Sequence, residues 1–231
     1  MAGGPRAPAT LRRVPDRRER LRSARLYLVC GDQPDTFLRA VLGAGVDLIQ
    51  LRMKDSGEDK IMAAGRRFAR AAAAHGALFI LNDRPDLVEA VGADGTHIGQ
   101  DDVPVADARA TVGPDRLVGL STHSPEQVDG AAGVPVDYIG VGPVHATPTK
   151  PGRPAVGLDL VRYAAQHATV PFFAIGGITP GNVDAVRAAG AERIAIVRAL
   201  TQASDPARAA RLLRSGIGAP AGGGEVQVGA T

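Results

Sequence analysis

Leu48-Ile49-Gln50-Leu51-Arg52-Met53-Lys54 opens as an apolar, strand-forming run and closes on an alternation of long polar and apolar side chains. A side-chain period of two puts Gln50, Arg52 and Lys54 on one face and Leu51 and Met53 on the other. Outward from this stretch, comparable runs recur about every twenty residues, over 26–30, 78–81, 96–99, 117–120, 138–141, 172–175 and 194–197. Alanine-rich stretches with helical spacing lie between them, as at 61–74, 158–166 and 181–188. Strands alternating with helices imply parallel pairing through right-handed crossovers. Eight such units over residues 25–214 predict an α/β fold, a single (β/α)8 barrel. A doubly wound open sheet is the alternative. No Gly-x-Gly-x-x-Gly turn follows the first run, which counts against its dinucleotide-binding version.

Composition separates the ends from the middle. The chain of 231 residues is 45% apolar, enough for a sizeable core, and carries a net charge of +3. Residues 1–25 hold eight arginines against Asp16 and Glu19, a balance of +6, so the remainder is at −3. Residues 1–24 read as a disordered Arg-rich tail and 215–231 as a flexible Gly/Ala-rich tail. With no aromatics among the tail's arginines, the case for nucleic-acid binding is weak. No apolar stretch suits a membrane span or a signal peptide, and the single cysteine, Cys30, excludes intramolecular disulfides. A cytoplasmic protein is the expectation, with a homo-oligomer left open.

In a (β/α)8 barrel, chemistry gathers on the loops that follow the strands. Only three of the 27 Lys and Arg residues are lysines, and two of them, Lys54 and Lys150, stand in such positions. A compact ammonium suits a buried phosphate oxygen where a planar guanidinium does not fit. Barrel strands are buried on both sides, so Gln50, Arg52 and Lys54 must point into the mouth, where two cations need an anionic partner. A salt-bridge layer with neighbouring strands is the bland alternative. The third strand ends in Asn82-Asp83 and the fourth in Gly99-Gln100-Asp101-Asp102. Carboxylates there suit a Mg²⁺ ion completed by substrate oxygens, although Asp83, just before Arg84-Pro85, also fits a helix cap. After the fifth strand, Ser121 stands at the tip and could donate to a ligand, Ser124-Pro125 reads as a helix start, and His123 reads as an exposed loop histidine.

The sixth connection, Gly142 to Pro154, is far longer than an ordinary βα loop, and Thr147, Thr149 and Lys150 make it a donor-rich clamp for phosphate. The seventh strand ends in Gly176-Gly177, where amides and the following helix dipole can hold a second phosphate. The eighth ends in Val197-Arg198. Two phosphorylated small molecules fit this mouth better than one.

QLRMKD (50–55), LNDR (81–84), GTHIGQDD (95–102), GLSTHS (119–124), YIGVGPVHATPTKPG (138–152) and AIGGI (174–178), in this order, closely resemble the thiamine-phosphate synthase family. The resemblance implies a barrel that joins a pyrimidine diphosphate to a thiazole phosphate, giving thiamine phosphate and pyrophosphate. It implies that Gln50, Arg52, Lys54, Asn82, Ser121 and Lys150 hold the pyrimidine diphosphate. Arg52, Lys54, Ser121 and Lys150 carry catalysis in that reading, and Asp83 and Asp102 ligate one Mg²⁺. Thr147, Thr149, Gly177, Val197 and Arg198 would bind the thiazole phosphate. Arg198 stands where the family often has serine, which removes a hydroxyl contact. The rivals are a thiazole tautomerase, favoured only by His123, a phosphosugar epimerase, disfavoured by the lack of facing acids, and a silent phosphate-ligand sensor.

Overall fold

The computed structural model of the protein describes residues 16–146 and 154–218. Eight strands form: β1 (Leu26–Cys30), β2 (Leu48–Leu51), β3 (Leu78–Asn82), β4 (Gly95–Ile98), β5 (Leu117–Thr122), β6 (Tyr138–Val141), β7 (Phe172–Ile175) and β8 (Ile194–Ile196). They close into a barrel in chain order, each parallel to its neighbours, with β8 pairing back to β1. The (β/α)8 architecture is the one the repeat predicts.

The strands are apolar on both faces because each face meets a different layer. Leu26, Leu28, Ile49, Leu51, Phe79 and Leu81 pack outward under the helices, as Met53 does in part. Tyr27, Val29, Leu48, Ile80, Tyr138 and Phe173 fill the barrel itself. The outer layer is amphipathic in the expected register: the helix Glu58–Ala74 buries Ile61, Ala64, Phe68 and Ala72, at spacings of three and four. Phe68 meets Phe79 with ring centroids 5.9 Å apart.

Three aspartates pin the N-terminal end of the barrel. Asp47, Asp94 and Asp137 immediately precede β2, β4 and β6. Each carboxylate accepts a main-chain N–H from the preceding strand or its lead-in: Arg25 and Leu26 on Asp47 (2.8 and 3.0 Å), Phe79 on Asp94 (3.0 Å) and Val118 on Asp137 (2.8 Å). These bonds satisfy amides that the ladder leaves unpaired at its start, and so they tie strands together in pairs.

The disorder expected for residues 1–24 does not extend to the last of them. Arg17–Ser23 is a helix, opened by a capping box in which Asp16 receives the Glu19 amide and Glu19 receives the Asp16 amide. Three of its arginines have partners on that same barrel end. Arg17 Nε lies 2.9 Å from Asp94, Arg18 Nε 2.7 Å from Asp137, and Arg20 donates to the Ala77 carbonyl at 2.8 Å. Leu21, 2% exposed, and Ala24 join the interior cluster of Tyr27, Leu48 and Leu78. The helix is therefore a plug on the open end, and Arg17 and Arg18 are neutralised by strand-start aspartates. At the other terminus, the helix Pro206–Ile217 buries Leu213 and Ile217 and carries ordered structure past the expected boundary at 214. The rest of both expected tails, 1–15 and 219–231, lies outside the described residues. Among the described residues no helix is long and apolar enough to cross a membrane.

Candidate active site

A cavity of about 730 Å³ opens at the C-terminal ends of the strands. Ten of the thirteen residues singled out from the sequence line it: Gln50, Arg52 and Lys54 from β2 and its exit, Asn82 and Asp83 from β3, Asp102 after β4, Ser121 from β5, Gly177 after β7, and Val197 and Arg198 after β8. Thr147, Thr149 and Lys150 lie outside the described residues.

The alternation along β2 decides its side of the site. Gln50, 3% exposed, faces the barrel interior, while Arg52 and Lys54 rise into the mouth. The salt-bridge alternative holds for one cation only. Lys54 Nζ lies 2.8 Å from Asp83 and 3.9 Å from Asp102. Half-buried Arg52 has no ion pair and no side-chain hydrogen bond among the described residues. A guanidinium taken out of water without an acid beside it favours an anion in the cavity.

Asp83 is not a helix cap. The turn that follows, Pro85–Leu87, starts from Arg84 with no side-chain cap, while the Asp83 carboxylate turns to Lys54. Its backbone sits at φ 59°, and its amide donates to the His97 carbonyl at 2.9 Å. Asp102 uses one oxygen on the Gly99 amide (2.7 Å) and turns the other toward Lys54. Burial pushes the Asp83 carboxyl above its ordinary value, Lys54 opposes the rise, and the neighbouring Asp102 adds to it. Two carboxylates pressed together around one lysine fit a site that takes a further cation. Among the described residues no cluster of three or more His, Cys, Asp or Glu side chains could hold a metal, so an ion on Asp83 and Asp102 would take its remaining oxygens from water, main chain or a ligand.

The raised value has a consequence for stability. Between the ordinary carboxyl value and the raised one, folded Asp83 holds its proton more tightly than the unfolded chain does. Asp83 therefore contributes stability at low pH that is lost as pH rises through that window. Asp83→Asn, which tolerates the left-handed backbone, is expected to remove that contribution. Urea midpoints across the acidic range, measured without metal, check it; an unchanged slope would remove Asp83 as the source.

On the opposite side, Gly176 and Gly177 have φ of 108° and 63°. A Cβ on Gly176 would lie 2.6 Å from Pro143 Cα, and one on Gly177 2.7 Å from His145 Cβ. The turn after β7 is thus clamped under the start of the long sixth connection, and His145 N bonds the Gly176 carbonyl at 3.0 Å. The helix expected over 181–188 runs Val183–Ala188, and ahead of it the Thr179 amide is taken by Asn182 Oδ1 at 2.8 Å. The turn Arg198–Thr201 begins immediately after Val197, and its first amides have no intrahelical partner. The Arg198 guanidinium is exposed at the rim, with Nε 3.0 Å from Gln202 Oε1.

Ser124 caps the helix Pro125–Gly130 through the Gln127 amide, as expected. His123 is half-buried rather than exposed: it lines the cavity and its Nδ1 meets the Gly142 carbonyl. Sequence reasoning missed Tyr27, His97 and Tyr138, which lie on β1, β4 and β6 beneath the mouth. Their signal was polar atoms on inward positions of otherwise apolar strands, and it needs the strand pairing to be read.

A family model described as thiamine monophosphate synthase matches residues 26–200. The chain belongs to the thiamine monophosphate synthase family. It is 54% identical over 198 residues to the thiamine-phosphate synthase of Acidothermus cellulolyticus, covering 82% of this chain and 93% of that one. It is 50% identical over 195 residues to the thiamine-phosphate synthase of Gloeobacter violaceus, where it spans 57% of the relative's length. Among solved structures, thiamine phosphate pyrophosphorylase from Pyrococcus furiosus superposes with a TM-score of 0.79 at 30% identity, over 85% of this chain and 97% of that one. Family membership agrees with the resemblance carried by the six motifs.

Proposed function

We infer that this barrel joins a hydroxymethylpyrimidine diphosphate to a thiazole phosphate, forming thiamine phosphate and releasing pyrophosphate. The observation that carries this reading is Arg52, a half-buried guanidinium without an acidic partner among the described residues. It stands beside Lys54 on the cavity wall of a chain that belongs to the synthase family.

The residues divide by the charge each has to meet. Arg52 and Lys54, with Lys150, offset the negative charge that grows on the diphosphate as its bond to the pyrimidine methylene carbon breaks. The electron pair leaves with the diphosphate oxygen, and the aminopyrimidine stabilises the methylene cation. The thiazole nitrogen then donates its lone pair to that carbon, closing the new C–N bond. Gln50, Asn82 and Ser121 hold the pyrimidine half. Thr147, Thr149, Gly177 and the Val197 and Arg198 amides hold the thiazole phosphate close enough for capture. Asp83 and Asp102 would hold one Mg²⁺, which would supply further positive charge to the leaving diphosphate when bound. No protein nucleophile is needed.

Pyrophosphate release, measured with Mg²⁺ and both substrates and with each omitted in turn, tests the reading. Release that needs all three, matched by thiamine phosphate, is the expected result. Folded protein that releases none would overturn it.

A further inference from the structure

Beneath the mouth a line of hydrogen bonds crosses the barrel from β2 to β5. Gln50 Nε2 donates to Tyr27 Oη at 2.5 Å, Tyr27 Oη meets Tyr138 Oη at 2.9 Å, and Tyr138 Oη meets His97 Nδ1 at 3.2 Å. His97 Nε2 then meets Ser121 Oγ at 3.0 Å. Every link is buried or half-buried, and burial pushes the ionisation of both phenols upward, so each remains a hydroxyl with one proton to give.

The strands are shaped around this line. A Cβ on Gly119 would collide with the Tyr138 ring carbon that bears the hydroxyl and would lie 2.6 Å from His97 Nδ1. A glycine in the middle of a central strand costs packing and chain entropy, and here it leaves room for the two rings. Tyr27, Tyr138 and Phe173 hold one another edge to face, with centroids 5.2 to 6.0 Å apart.

The line has a direction. With Gln50 as the donor to Tyr27, pairing every hydroxyl along the line sends the Tyr27 proton to Tyr138 and the Tyr138 proton to His97 Nδ1. His97 is then the Nε2–H tautomer, which donates to Ser121 and leaves the Ser121 proton for the cavity. At the other end, the Gln50 carboxamide oxygen has no hydrogen bond among the described residues, and Gln50 lines the cavity. One end accepts and the other donates. Turning Gln50 over requires reversing every hydroxyl and the tautomer of His97 together.

We propose that Tyr27, Tyr138 and His97 are positioning residues whose directed hydrogen-bond line holds Gln50 as an acceptor and Ser121 as a donor. The cavity thereby selects a ring bearing an exocyclic amine over one bearing an oxo group. The proposal rests on the pyrimidine reading given above. An amine donates to the Gln50 oxygen, whereas an oxo group presents a second acceptor there, and the coupled line resists the flip that would accommodate it.

The test is calorimetric binding of the 4-amino and 4-oxo pyrimidine diphosphates with Mg²⁺ and no thiazole phosphate. It uses the wild type, Tyr27→Phe, Tyr138→Phe, His97→Gln and the double variant Tyr27→Phe/Tyr138→Phe. Phenylalanine keeps the edge-to-face packing, so the tyrosine variants retain the fold, and His97→Gln cuts the line at a different link. The expected result is a wild-type preference for the amino compound that falls by about tenfold, the scale of one hydrogen bond, in each single variant. The double variant should fall no further than either single one, because a line cut once is already cut. KM for the thiazole phosphate should stay within about twofold while KM for the pyrimidine diphosphate rises. Equal binding of the two diphosphates by the wild type, or a preference untouched in every variant, would overturn the proposal. Pyrophosphate release by the wild type is scored separately: selective binding without release keeps the positioning role and discards the synthase reaction.

Discussion

Lys54→Met is expected to lower kcat for pyrophosphate release by about two to three orders of magnitude, the usual scale for removing one preorganised group that meets developing charge. Lys54 Nζ stands between Asp83 and Asp102, and Arg52 is the next cation on the same face of the strand exit. The substitution removes a charge from the leaving group's side and leaves two carboxylates facing one another. Both effects oppose departure of a diphosphate. Binding should suffer less than turnover, because Arg52 still meets the ground-state charge. Lys54→Arg is expected to recover little, since a planar fork does not occupy the place of a compact ammonium between two acids. Steady-state pyrophosphate release and circular dichroism on the three proteins check this. Near-normal kcat in Lys54→Met, with the fold intact, would remove Lys54 from the chemistry.

The second large effect is on stability and lies at the opposite end of the barrel. Leu21→Ala is expected to cost about 3 kcal/mol, within the range for emptying a fully buried leucine site. In a domain of this size that lowers the melting temperature by roughly 10 °C. Leu21 is 2% exposed and packs with Tyr27, Leu48 and Leu78, so its loss opens a cavity in the barrel interior that a helix held by capping and ion pairs cannot easily close. The control is Leu212→Ala on the last helix, where the side chain is 49% exposed and the change should be close to neutral. Thermal unfolding and the urea midpoint read both. Equal effects in the two variants would mean that the N-terminal helix is not a plug.

The eight strands, the order of the layers and the polar face of β2 were all legible because they rest on local periodicity. A period of two assigns Gln50, Arg52 and Lys54 to one face whatever the rest of the chain does, and the structure keeps that assignment. Ser124-Pro125 was legible for the same reason, since a cap is satisfied within three residues of itself. The helix Arg17–Ser23 carried a local signal too, the capping box of Asp16 and Glu19. Its arginines, however, read as a solvated tail until Asp94 and Asp137 are known to lie beneath them.

The remaining features depend on partners far apart in the chain. Asp83 left a cap open beside a Mg²⁺ role because a proline turn follows it, but its carboxylate is claimed by Lys54 at the exit of the adjacent strand. Tyr27 and Tyr138 are 111 positions apart and share a hydrogen bond only because barrel closure places both rings inside.

By itself the sequence determined the (β/α)8 repeat, the cation-rich mouth and, through its motifs, the family. Side-chain alternation and strand-end chemistry are written in consecutive residues. Only the tertiary structure decided which charges are neutralised, that Lys54 has acids while Arg52 has none among the described residues, and that a polar line links Gln50 to Ser121. Ion pairing and hydrogen-bond direction are set by distance in space, which chain order does not specify until the barrel closes.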